Sequence, residues 1–139
     1  MSGYARFVGS STLIAVAVAL VLSAGCGGGP AGDPQRGAMV YETCASCHAL
    51  QPDPDEVYFG PHLLDIIGRE VAADPDFQYS EAMRAYGGTW TVERLAAYLR
   101  APEEAIPGTE MIQALPEPQD VLDVIAYLRM VQDESQRER

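Results

Sequence analysis

The C-terminal part of the chain carries the clearest helical pattern. Val121, Val124, Ile125, Leu128 and Val131 recur at three- and four-residue steps, forming one apolar stripe on a helix that starts near Pro118. A second stripe, Val92, Leu95, Ala96 and Leu99, follows a Thr91 cap and stops at Ala101, ahead of Pro102. Farther upstream, capping residues mark the helices. Asp33 followed by Pro34 predicts a helix over 34–43. Ser80 predicts another as far as Tyr86, closed by Gly87-Gly88. Residues 63–67 form a short apolar piece stopped by Gly68, Gly60-Pro61 marks a turn, and residues 51–56 make a polar loop. Residues 102–116 read as an irregular loop, long enough to be functional or disordered. The charged tail, 133–139, is expected to fray. No stretch alternates with the period of a strand, so the fold class is all-α.

The N-terminal segment follows a different pattern. Residues 12–22 are an unbroken Thr, Leu, Ile, Ala and Val run, too short to span a bilayer but suited to the apolar region of a signal peptide. Ser23-Ala24-Gly25-Cys26 follows and resembles the lipobox of bacterial lipoproteins, in which the cysteine is acylated; the usual leucine stands one place early, at Leu22. An uncleaved anchor and ordinary cleavage are the alternatives, and each delivers the domain across the inner membrane. The expected organisation is a lipoprotein-like signal over 1–25, a glycine-rich tether over 26–32, one domain over 33–132 and the tail.

Charge narrows the function. The 139 residues carry a formal charge of -11, with twenty carboxylates against nine basic residues, all of them arginine. That excludes a basic stripe for nucleic acid and a basic patch for anionic lipid, and leaves basic or apolar partner surfaces. Three cysteines argue against a disulfide framework: Cys26 stands alone, and Cys44 and Cys47 form a pair.

That pair opens Cys44-Ala45-Ser46-Cys47-His48, the attachment pattern for c-type haem. Each thiol can add to one haem vinyl group, and the next imidazole then lies under the iron. A redox disulfide of the thioredoxin kind belongs near a βαβ pattern, which is absent. Half a zinc site would need two more ligands from a chain with two histidines and one other cysteine.

The same chain contains, in order, Gly60-Pro61-His62-Leu63, Gly68-Arg69, Phe77-Gln78-Tyr79-Ser80, Thr89-Trp90, Tyr98-Leu99, Pro107-Gly108-Thr109-Glu110-Met111 and Ala126-Tyr127-Leu128. With the pentapeptide, this succession resembles the class I cytochromes c, mitochondrial and bacterial short-chain, over residues 32–131. The resemblance implies N- and C-terminal helices crossing around one haem c bound through Cys44 and Cys47. It implies that His48 is the proximal ligand and that the Pro61 carbonyl orients it. Met111 is then the distal ligand: it alone among the five methionines sits in the proline-flanked loop, where a soft thioether can complete a low-spin iron. His62, the other candidate, reads as a surface histidine. Arg69, Tyr79 and Trp90 would contact the haem propionates, Tyr98 would approach the methionine sulfur, and Thr109 would help hold the loop. Gly37 and Tyr41 would meet Ala126 and Tyr127 where the terminal helices cross. Three features depart from the mitochondrial pattern: Tyr41 is one residue nearer to Cys44, Glu110 replaces a lysine, and no glycine follows Met111 within residues 112–116.

Two ligands leave no open iron position, so the expected function is single-electron transfer without catalysis. The expected partners are redox proteins such as a quinol–cytochrome c reductase, a terminal oxidase or a dehydrogenase. The expected location is the periplasmic side of a bacterial cytoplasmic membrane, with the carrier monomeric and tied down through Cys26. The rivals are a haem enzyme or gas sensor whose Met111 dissociates, and a binding module without haem.

Overall fold

Aspartate and proline start α1, Pro34–Ala45, as expected: the Asp33 carboxylate accepts the backbone N–H groups of Gln35 and Arg36. The helix runs two residues past its expected end and takes Cys44 into its last turn, where the Cys44 carbonyl accepts both the Cys47 and His48 N–H groups. The structure, a computed structural model, describes residues 31–52 and 55–139. The signal segment, Cys26 and the tether up to residue 30 lie outside the described residues.

Ser80 caps α2, Glu81–Tyr86, and Thr91 caps α3, Val92–Arg100, each hydroxyl accepting an N–H of the first turn. Two expectations are corrected. The segment after Pro102 is not wholly irregular: Pro102–Ala105 form the short helix α4, and the Glu103 carboxylate accepts the Gly108 N–H, closing the turn before Met111. Nor does the tail fray. The last helix, α5, spans Pro118–Glu138, and its end is fastened to the 65–67 turn. There the Gln132 amide donates to the Ile67 carbonyl at 3.0 Å and Arg139 pairs with Asp65 at 2.9 Å. These partners lie over sixty residues away in sequence, so local composition could not reveal them.

The terminal helices α1 and α5 pack closely. A Cβ on Gly37 would lie 1.9 Å from the Asp123 carbonyl oxygen, and one on Gly32 would lie 2.0 Å from that of Leu122. Only glycine lets the backbones approach so near. Gly32, expected in the tether, therefore already belongs to the packed domain. Tyr41 meets Tyr127 with ring centroids 5.3 Å apart, as expected, while Ala126 faces Gly32 rather than Gly37.

Beside this crossing lies a group the apolar pattern hid. Asp123 is only 1% exposed, and its carboxylate accepts the Asp33 N–H at 2.7 Å, Arg36 Nε at 2.8 Å and the Gln119 amide at 2.8 Å. Val121, Val124, Ile125 and Leu128 are buried on the other side of α5, with Leu95, Tyr98 and Leu99 from α3 in the same core. The one β-type contact among the described residues is an isolated antiparallel bridge, Glu70 with Thr89. The class is all-α, as the periodicity predicts.

Candidate functional site

The α1 C-terminus delivers His48. Its ring Nδ1 lies 2.7 Å from the Pro61 carbonyl oxygen, which can only accept, so Nδ1 carries the proton and Nε2 keeps a bare lone pair. Burial lowers the His48 pKa; the Pro61 carbonyl opposes that effect and Arg69 reinforces it. The imidazole is therefore held neutral, the form that binds a metal. Gly60 lies close against the ring: a Cβ there would come within 2.2 Å of Cε1. Its N–H donates to the Cys47 carbonyl at 2.9 Å, tying the 60–61 turn to the pentapeptide. The Tyr41 hydroxyl donates to the His48 carbonyl at 3.2 Å, and burial raises its pKa to about 12. These contacts give Gly60 and Tyr41 positioning roles that sequence reasoning missed. Gly60 read only as part of a turn, and Tyr41 only as a packing residue.

The thiols of Cys44 and Cys47 are free, Cys44 partly buried and Cys47 exposed. Burial raises the Cys44 pKa.

Three backbone bonds bring Arg69 and Trp90 together: Trp90 N–H to the Arg69 carbonyl, Gly68 N–H to the Trp90 carbonyl and Val71 N–H to the Gly88 carbonyl. Trp90 is 5% exposed and packs on Tyr98 at 5.2 Å. The Arg69 guanidinium donates to the His62 carbonyl at 2.7 Å and lies 3.3 Å from the His62 ring. His62 is thus no plain surface histidine: it is half-buried, wedged between Arg69 and Asp74, and burial lowers its pKa. The Tyr79 hydroxyl accepts the Asp74 N–H at 3.4 Å, and burial raises its pKa.

On the loop between α4 and α5, Thr109 and Tyr98 share a 2.6 Å hydrogen bond, and Thr109 Oγ1 also accepts the Met111 N–H at 3.4 Å. The bond found for the Tyr98 hydroxyl therefore goes to Thr109, a residue that itself holds the Met111 backbone. Burial raises the Tyr98 pKa, so the phenol stays protonated at neutral pH.

The residues present fit a haem. One neutral imidazole nitrogen is left available, a soft thioether sits in a fixed loop, and two free thiols have the required spacing. Leu50, Leu63, Ile67, Ala82, Met83 and Met111 are apolar side chains only partly covered by the core, as a large flat apolar group would require. No group of three or more His, Cys, Asp or Glu among the described residues is arranged to hold a metal ion.

Comparison with known proteins gives the same picture. A family model described as Cytochrome c matches residues 34–132. A cytochrome c homolog of Rickettsia bellii is 41% identical over 96 residues, 68% of this chain and 54% of that protein. A cytochrome c2 of Rhodomicrobium vannielii is 40% identical over 99 residues, 70% of this chain and 78% of that protein. The matching region spans about half the length of the Rickettsia relative. Among solved structures, cytochrome cH from Methylobacterium extorquens superposes with a TM-score of 0.63 at 29% identity, over 71% of this chain and 99% of that one.

Proposed function

The chain belongs to the cytochrome c family, as a class I c-type cytochrome, and from that premise we propose that it is a one-electron carrier with a six-coordinate haem held by His48 and Met111. The haem, bound through Cys44 and Cys47, would supply reversible one-electron exchange at its iron. The carrying observation is the His48–Pro61 bond, which fixes the tautomer that leaves Nε2 bare. Gly60, lacking a side chain, leaves room for the ring in that position, and Tyr41 ties the same residue to α1. Thr109 and Tyr98 hold the Met111 loop, which argues against easy dissociation and hence against the enzyme or sensor reading. Arg69, Tyr79 and Trp90 are assigned to the propionates: a buried carboxylate needs such donors. Burial lowers the Arg69 pKa, the cost of a cation kept inside for a later anion.

Cys26 is assigned as a lipidation site that holds the carrier at the periplasmic side of the cytoplasmic membrane. The apolar run and small residues before it support that reading. Among the described residues, no helix is long and apolar enough to cross a membrane. The proposed partners are membrane or periplasmic redox enzymes with basic or apolar docking surfaces. A pyridine haemochrome assay with intact-mass measurement on the membrane fraction tests haem and lipid together. A chain lacking the mass of one haem would refute the carrier, and one bearing haem without lipid would refute only the anchor.

A further inference from the structure

Among the described residues the large hydrophobic side chains left exposed are Met39, Val57, Phe59 and Ile112. All four fall in the two segments that bear the proposed haem ligands. Met39 lies on α1, five residues before Cys44, and Val57 and Phe59 lead into Gly60, which is bonded to Cys47. Ile112, 97% exposed, directly follows Met111. Of these, Met39 lines a groove, together with Val40 and Thr43 of α1 and with Leu115, Gln119 and Asp120. Ile112 is three residues from Leu115, within about 10 Å along the chain. Scattered exposed hydrophobics need no explanation, but a set confined to the two ligand-bearing segments points to an interaction surface.

Charge selects the occupant. Residues 37–68 contain five carboxylates and residues 101–128 contain six, and neither segment has an arginine or lysine. The one cation lining the groove, Arg36, is engaged by Asp123 at 2.8 Å and Asp33 at 3.4 Å. Glu42, Glu110 and Glu117, on the same two segments, are exposed. A second copy of this chain would bring like charge against like, whereas an apolar surface ringed by lysine or arginine is complementary. Building on the carrier reading, we propose that the Met39–Leu115 groove and Ile112, with their rim of carboxylates, are the docking surface for a basic redox partner.

The test uses the full haem-loaded protein and two small oxidants. Tris(phenanthroline)cobalt(III) is cationic with apolar aromatic ligands, and ferricyanide is anionic. In each reaction one electron passes from ferrous haem to the oxidant metal. Oxidation by the cobalt complex is expected to slow as salt rises, and oxidation by ferricyanide to quicken. A Glu42→Gln, Glu110→Gln, Glu117→Gln variant is expected to lose about threefold or more of the cobalt rate at low salt. Met39→Ser with Ile112→Ser should lose rate at high salt too, where only the apolar contact remains. Glu134→Gln with Glu138→Gln, at the far end of α5, serves as control and should change neither. Rim or apolar variants as fast as the parent, or a control that slows equally, would overturn the docking surface. A parent chain without haem, or whose ferrous haem neither oxidant oxidises, would instead overturn the carrier reading.

Discussion

The crossing of α1 and α5 and the region around His48 and Met111 solve the same problem in opposite ways. At the crossing, the buried carboxylate finds its partners within the chain. Asp123 is met by Arg36, Gln119 and the Asp33 N–H, and two glycines let the backbones close. In the pentapeptide and on the loop before α5 the chain instead leaves donors and apolar faces incomplete: a bare Nε2, two free thiols, a half-covered Met111. The first region is finished by the sequence, whereas the second is shaped for a group from outside. Stability and function are thereby separated, and a change in one should leave a recognisable signature apart from the other.

The largest effect is expected from Cys44→Ser with Cys47→Ser, which removes both covalent anchors. The haemochrome signal of the purified chain should disappear. Amide exchange should lose protection across residues 60–90 while α1 and α5 keep theirs, because their contacts need no haem. Uniform loss of protection would merge the two regions into one cooperative unit.

Next come two glycine substitutions of equal size on either side of the comparison. Gly37→Ala drives a Cβ into backbone at the crossing and should cost about 2 kcal/mol or more in chemical denaturation, with the haem spectrum unchanged. Gly60→Ala drives one into the His48 ring and should perturb the haem spectrum more than the denaturation midpoint. Reversed signatures would show that the regions are misassigned.

The acid limb probes the crossing alone. Arg36, the Asp33 N–H and Gln119 hold the Asp123 carboxyl below its ordinary range. Its stabilisation is complete above the unfolded value of about 3.9 and disappears as pH falls through the depressed folded value. Asp123→Asn should therefore be less stable than the parent at pH 7, with the difference shrinking as pH falls below about 3.9. A gap that is constant with pH would remove the ionised carboxylate from the account.

The smallest effect is expected from Thr109→Val, which removes the hydroxyl shared by Tyr98 and the Met111 N–H. A loss of about 1 kcal/mol is the usual scale for such a bond. The variant should also exchange Met111 for added imidazole more readily in a spectral titration. An unchanged imidazole affinity would mean the loop is held by other contacts.

The same division decides what was legible in the sequence. Caps at Asp33, Ser80 and Thr91 and the stripe on α5 announced themselves, because their signals lie within a few residues. The pentapeptide was legible because ligand chemistry restricts residue type and spacing, and the role of Pro61 came only through the family resemblance. Asp123 was not: it lies about 200° around α5 from Val121, on what a single stripe makes the solvent face. Only the second packing partner, α1, buries it. His62 was taken for surface because nothing local shows that Arg69 folds back upon it. The end of α5 was taken for a frayed tail because Asp65 and Ile67, which fasten it, lie far upstream.

The central claim, an iron closed by His48 on one side and Met111 on the other, is tested most directly by the optical spectrum of the purified ferric protein and its Met111→Ala variant. The weak far-red band that a methionine thioether gives ferric haem should be present in the parent and absent in the variant, and carbon monoxide should bind the reduced variant but not the reduced parent. A parent without that band, or one that takes up carbon monoxide as readily as Met111→Ala, would contradict the closed carrier.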